Sequence, residues 1–238
     1  MKSIEELQKK FNQEIVLEEI RGFKFFCRKE MLDSYSCKEV FKPSSYSRLS
    51  LYPEDTVLDA GVNIGAFSVY AASKADFVVG FEPDSENYEL AVENVKLNGF
   101  EEKVKLFNSA IIGGKETTRP FYLNSKKHPG SHSMFIERGR KEIEVSCTNI
   151  NDIISKYKTN KIKMDVEGAE YEIIQDLSSQ NMESIEQIIM EYHFAALKDK
   201  DQSKYCEILE KLGMHFSSLD FNPNIKSHWT TIIYARLS

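Results

Sequence analysis

The stretch "TVLDAGVNIGAFSVYAASK", residues 56–74, joins an apolar run to a glycine turn and then to a helical pattern. "TVLDA" reads as a strand ending at Asp59 and Ala60, and "GAFSVYAASK" as the helix that follows. A strand, a glycine turn and a helix open a parallel βαβ unit. The turn departs from the dinucleotide pattern, which wants glycine at its first, third and sixth places, because here Gly61, Asn63 and Gly65 occur instead. Asn63 replaces the glycine that lets a backbone approach a pyrophosphate, so a ligand offering a single carboxylate is the better match. The unpaired backbone N–H groups of such a turn are expected to receive that anion.

Outward from this unit the alternation continues. Strand "FVVGFEP", helix "SENYELAVENVKLN" and strand "KVKLFNSAI" follow, and after a turn-rich stretch come strand "KIKMDV", helix "GAEYEIIQDL", strand "IEQIIMEYH" and helix "SKYCEILEKLG". Two strand-like runs, "MHFSSLDF" and "WTTIIYARL", close the pattern. Such alternation predicts an α/β fold, a mostly parallel sheet with helices on both faces. The segment from "TTRPFYLNSKKHPGSHSMF" to "KEIEVSCTNINDIISKY" reads as an antiparallel excursion. Ahead of the sheet, "SIEELQKKF" has helical spacing and "IRGFKFFCRK" reads as a strand, so residues 1–50 are read as a small N-terminal cap and 51–238 as the main domain.

The chain has 238 residues, 41% hydrophobic and 29% charged, with a formal net charge of -6. That length supports one substantial core with an appended element. The acidic balance disfavours tight nucleic-acid binding. The charged start lacks the apolar core of a signal peptide, and no run approaches the roughly 18 apolar residues of a membrane span, so a soluble, cytoplasmic protein is expected. Cys27, Cys37, Cys147 and Cys206 have no metal-binding or disulfide spacing and read as packing thiols.

In open sheets of this kind ligands bind at the carboxyl ends of the strands, where strand order reverses. Asp59, Gly61, Asn63 and Gly65 lie at the first such end. Glu82 ends the second strand, 21 residues after Gly61, the place for a carboxylate that accepts hydrogen bonds from ribose hydroxyls. Asn108, Ser109 and Ala110 lie at the third, where a nucleobase would rest. In "KIKMDVEGAEYEII", residues 161–174, an apolar strand ends in Asp165 and Glu167 follows in the loop. Glu170 and Glu172 read as structural members of the exposed face or first turn of the next helix, where negative charge is favourable.

"VLDAGVNIGAFS", "VVGFEPDSENYELAVENVKLNG", "NSAI" and "KMDVEGAEYEII", in that order over about residues 46–193, resemble the FkbM-type S-adenosylmethionine-dependent methyltransferases. "DVEGAE" is the most specific element. The resemblance implies a class I methyltransferase (Rossmann-like) fold with a seven-stranded sheet whose last strand is antiparallel. It also implies S-adenosyl-L-methionine as cofactor and, commonly, O-methylation of sugars or natural-product hydroxyls. An asparagine in the glycine turn is usual in that family, and the resemblance implies a loop built for the methionine end of the cofactor.

Methyl transfer to a hydroxyl needs alignment, exclusion of water and a proton acceptor. Asp165, Glu167, Glu191 and His193 qualify by position, and an imidazole with an ordinary pKa of about 6.5 suits proton transfer near neutrality. Asp165, Glu191 and His193 lack a diagnostic metal-binding spacing, so no metal is assigned. His132 and Ser133, in the loop "NSKKHPGSHSMF" with Lys126, Lys127 and His128, are candidates for binding the acceptor, and Tyr46 for covering the cofactor from the cap. Two alternatives stand beside a small-molecule or glycan acceptor. "ENVKLNGFEEKV" is similar to tRNA guanine methyltransferases, although no "NPP"-type tetrapeptide or separate RNA-binding module accompanies it. A nicotinamide-binding or non-catalytic Rossmann-like protein is the other.

Overall fold

A computed structural model of the chain describes residues 1–42, 45–124, 141–194, 202–221 and 230–237. It begins with α1 (Ile4–Phe11), whose start is fixed by a capping box: Ser3 Oγ accepts from Glu6 N, and the Glu6 carboxylate accepts from Ser3 N. Such a cap contributes about 1 kcal/mol. The hairpin β1 (Ile15–Ile20) and β2 (Phe23–Arg28) follows, then α2 (Asp33–Val40). The single strand expected over "IRGFKFFCRK" is corrected here. Arg21 and Gly22 both take positive φ, 55° and 86°, and make the two-residue turn of a tight hairpin.

The main sheet is built from β3 (Thr56–Ala60), β4 (Phe77–Phe81) and β5 (Val104–Phe107), separated by α3 (Ala66–Ala72) and α4 (Ser85–Leu97). The chain then leaves the sheet through β6 (Ala110–Ile112), β7 (Thr118–Leu123) and β8 (Lys141–Asn149), a small three-stranded sheet in the order β6-β8-β7. "KVKLFNSAI" is therefore two strands in two sheets, broken at Asn108 and Ser109. The β7–β8 pairing is the expected antiparallel excursion, but "NINDIISKY" is helical, as α5 (Ile150–Tyr157), capped by the Asn149 side chain. The main sheet resumes with β9 (Lys161–Met164), crosses α6 (Glu170–Asp176) and α7 (Ser179–Met182), and continues through β10 (Gln187–His193) and α8 (Ser203–Gly213) to β11 (Ser218–Asp220) and β12 (Thr230–Arg236).

The seven strands run in the order β11-β12-β10-β9-β3-β4-β5. β10, β9, β3, β4 and β5 are mutually parallel, and β12 is antiparallel to both its neighbours. Buried on both faces, β4 and the first half of β10 read as nearly unbroken apolar runs, whereas β3 and β9 carry the buried Asp59, Lys161 and Lys163 among apolar residues. Strand order reverses between β3 and β9, which puts the exits of those two strands side by side. The cap closes one side of this junction. Leu7, Phe25 and Cys37 share a buried cluster with Val57, Phe67 and Val69 of the sheet and α3, and the buried Arg28 guanidinium reaches both Asp33 and Asn87 of α4. No helix among the described residues is long and apolar enough to cross a membrane.

Candidate active site

After β3 the backbone turns sharply past the exit of β9. Gly61 has φ +81°, and a Cβ there would stand 1.8 Å from the Asp165 carbonyl oxygen, so glycine is required. The N–H groups of Gly61 and Val62 donate to Phe81 O at 3.1 Å, Gly65 N donates to Val62 O at 3.0 Å, and Asn63 N donates to Glu82 Oε2 at 2.7 Å. The expectation that this turn offers unpaired donors to an anion is thus corrected for these four residues: the end of β4 satisfies three of them, and Val62 O within the turn satisfies Gly65. The turn instead presents an acceptor. Asn63, held at φ 53°, has its Oδ1 buried with no hydrogen-bond partner among the described residues.

Glu82 is buried at the exit of β4, and its second oxygen accepts from Asp84 N at 3.0 Å. Burial, and then the charge of Asp84, push its carboxyl up to about 8. Each oxygen keeps a further lone pair for a ligand hydroxyl. Beside it the Asn108 amide donates to the carbonyls of Glu82 and Pro83 at 2.9 and 3.0 Å. The Ser109 hydroxyl faces Thr148 Oγ1 and Ser146 O of β8, and Ala110 packs with Phe121 and Val145. Of these three, Asn108 is exposed.

Beneath the turn lies an ion pair that the sequence reading did not single out. Asp59 is fully buried; Ser68 Oγ donates to its Oδ2 at 2.6 Å, and Lys163 Nζ of β9 stands 3.1 Å from its Oδ1. Lys163 also donates to Gly61 O at 2.5 Å. Burial pulls the lysine down, but Asp59, then Asp165 and Glu82, outweigh it and hold the ammonium above its ordinary value. A lysine alternating with apolar residues in "KIKM" was the available signal.

Across the exit of β9 a second group of side chains converges. His193, the last residue of β10, is buried with Nδ1 2.8 Å from Glu170 Oε1. Its Nε2 stands 3.5 Å from Glu167, 3.8 Å from Asp165 and 4.0 Å from Glu191. Asp165, Glu167 and His193 each bring one ligand atom within 4.8 Å of the others. From the cap, the buried Tyr46 hydroxyl reaches Asp165 Oδ2 at 2.8 Å and Glu191 Oε2 at 3.1 Å. One phenolic proton serves one carboxylate at a time, so this contact is fully satisfied only when the other carboxyl is itself protonated.

Glu170 opens the first turn of α6, one of its two expected places, but it is fully buried beneath the imidazole rather than exposed. Positive φ at Glu167 (54°) and Gly168 (117°) delays the helix until Glu170 and turns that carboxylate inward. Glu172 has the structural role expected of it, pairing with Arg119 at 2.6 Å.

The local charges set the protonation of the cluster. Burial lowers His193, but Glu170, then Glu167 and Asp165, outweigh it and hold the imidazole well above its usual range. Burial, opposed by His193, together with Asp165, Glu170 and Glu191, pushes Glu167 up to about 8. Glu191 is raised by burial and Asp165. These groups exchange protons as one set. Without a ligand the imidazole and the Glu167 carboxyl are therefore both proton holders near neutrality.

Both groups open on one cleft of about 190 Å³, lined among others by Tyr46, Gly61, Asn63, Phe67, Asp165 and Glu191. Cap residues Ser36, Glu39 and Val40 line it too. Lys126, Lys127, His128, His132 and Ser133, the expected acceptor loop, lie outside the described residues.

A seven-stranded sheet in this order, with an antiparallel last strand and a glycine turn at the point of reversal, defines a class I methyltransferase. Residues 59–222 match the model of the methyltransferase FkbM domain, more than half of the chain, and the protein belongs to that family. It is 24% identical over 187 residues to methyltransferase sdnD of Sordaria araneosa, covering 65% of this chain and 72% of that protein. It is 22% identical over 180 residues to methyltransferase 1 of Beauveria bassiana, covering 65% and 71%. The crystal structure of methyltransferase FkbM from Methylobacillus flagellatus KT superposes with a TM-score of 0.53 at 14% identity, over 84% of this chain and 47% of that one, a likeness of fold. The protein is a methyltransferase.

Proposed function

We propose that this enzyme transfers a methyl group from S-adenosylmethionine to a hydroxyl of a sugar, glycan or small metabolite. One observation carries the reading: the glycine turn and the carboxylates Asp165, Glu167 and Glu191 line the same cleft, so a donor held by the first would lie beside the second. The buried Asn63 Oδ1, without a partner among the described residues, fits the ammonium of an amino-acid tail, and Glu82, already bonded to the turn through Asn63 N, has lone pairs left for ribose hydroxyls. When bound, S-adenosylmethionine supplies an electrophilic methyl on a sulfonium.

The chain's own residues do the rest. Lys163 and Asp59 fix the turn from below. Tyr46 and Phe67, edge to face with ring centroids 6.0 Å apart, form an aromatic wall that excludes water. Asp165, Glu167 and Glu191 orient the acceptor hydroxyl and take its proton, and His193, charged through Glu170, steadies the negative charge they share. Four carboxylates around the cleft repel a phosphate backbone, which counts against RNA as the acceptor.

Calorimetry with S-adenosylhomocysteine and NAD, followed by labelled methyl transfer to a hydroxylated metabolite and glycan panel beside total RNA, tests this reading. We expect uptake of S-adenosylhomocysteine and label in a hydroxylated small molecule. Binding of NAD in its place overturns the cofactor, and label confined to RNA overturns the acceptor class.

A further inference from the structure

We infer that Asp165, Glu167 and His193, with Glu191 beside them, form a binding site for a divalent first-row transition cation. The argument starts from spacing. The three carboxylates stand 3.5, 3.8 and 4.0 Å from His193 Nε2, beyond the 2.7–3.2 Å of an N–H···O hydrogen bond. Donors about 2.1 Å from a shared cation stand roughly 3–4 Å from one another. Asp165, Glu167 and His193 each bring one donor atom within 4.8 Å of the others, a spacing that a small closure around an ion would complete.

The second observation is the imidazole itself. His193 is buried, 6% exposed, and its Nδ1 is engaged by the fully buried Glu170 at 2.8 Å, which fixes the ring so that Nε2 points into the carboxylate group. A ligating histidine is oriented in this way by a carboxylate on its other nitrogen. Glu170 keeps Oε2 buried without a hydrogen-bond partner among the described residues. Lys163 is turned away from this group, to Asp59 and Gly61 O.

The donors come from the exit of β9 and the end of β10, a juxtaposition made by strand pairing rather than by any sequence spacing. One nitrogen with carboxylate oxygens suits manganese, iron or zinc, and leaves positions for hydroxyl oxygens. Resting on the proposed function, the ion's role is to hold the acceptor hydroxyl and make it more acidic. The ion takes the place of the imidazolium proton, which leaves to solvent.

Manganese(II) is the probe, because its electron spin reports the ligands directly. Chelator-treated protein is titrated with manganese(II) chloride without an acceptor and followed by calorimetry and pulsed electron paramagnetic resonance. One bound ion with a single imidazole nitrogen coupling is expected in the wild type. Asp165→Asn and Glu167→Gln each weaken uptake by at least roughly tenfold, and Glu170→Gln, which leaves every donor in place but loosens the ring, by roughly 10- to 100-fold. Glu172→Gln, whose partner is Arg119, leaves it unchanged. Absence of uptake by the wild type, uptake without nitrogen coupling, or undiminished uptake by Asp165→Asn overturns the site. Parallel calorimetry with S-adenosylhomocysteine separates the two ideas: cofactor binding without manganese uptake leaves the proposed function standing and removes this inference.

Discussion

The two sides of the cleft are built on opposite principles. On the glycine-turn side, the backbone donors of Gly61, Val62, Asn63 and Gly65 are matched inside the protein, and the buried Asp59 has Lys163 and Ser68 against it. On the far side, carboxylates gather around one imidazole, and a single phenolic proton is divided between two of them. The first is rigid before any ligand arrives. The second gathers acids whose protonation is shifted by their neighbours, as groups that perform proton transfer commonly do.

The sharpest way to break this comparison is to damage the matched side. Lys163→Met leaves Asp59 buried with its cation gone, and should cost about 3–5 kcal/mol in urea unfolding. Gly61→Ala forces a Cβ into the Asp165 carbonyl at positive φ and should cost about 2–4 kcal/mol while abolishing S-adenosylhomocysteine binding by calorimetry. If either variant keeps full stability, the turn is not rigid and the contrast fails.

The next pair concerns ligands. His193→Ala should leave S-adenosylhomocysteine affinity within about twofold while slowing turnover by roughly 10²-fold or more; equal turnover removes His193 from the chemistry. For Glu82, ionisation is what lets both oxygens accept ribose hydroxyls. With a folded carboxyl near 8, affinity should climb as pH rises toward about 8 and level off above it, and Glu82→Gln should flatten the profile. Linkage runs the other way for the ligand-free fold. A raised folded value means the protonated form is stabilising, fully so below the unfolded value of about 4.3 and lost as pH passes through about 8. The smallest effect is expected at Ser109→Ala. Its hydroxyl faces β8, so we expect about 1 kcal/mol of stability lost and cofactor affinity unchanged.

The same division explains what the sequence reveals. Strands such as β4 announce themselves as apolar runs, and positive φ at Gly61 and Gly65 announces itself through glycine, so much of the sheet and the Gly61–Gly65 turn are readable in one dimension. Glu170 is not, because two left-handed residues before it swing an apparently exposed helix position inward. Lys163 hides because its partner Asp59 belongs to a neighbouring strand. The break between Phe107 and Ala110, and the helix in "NINDIISKY", follow from a change of sheet that short apolar runs do not encode.

Tyr46 precedes the family-matching span, yet its phenol sits against the acids on which the proposed reaction depends. The first fifty residues pack against the Gly61–Gly65 side of the cleft as well as against these acids, so exchanging them reshapes both walls at once.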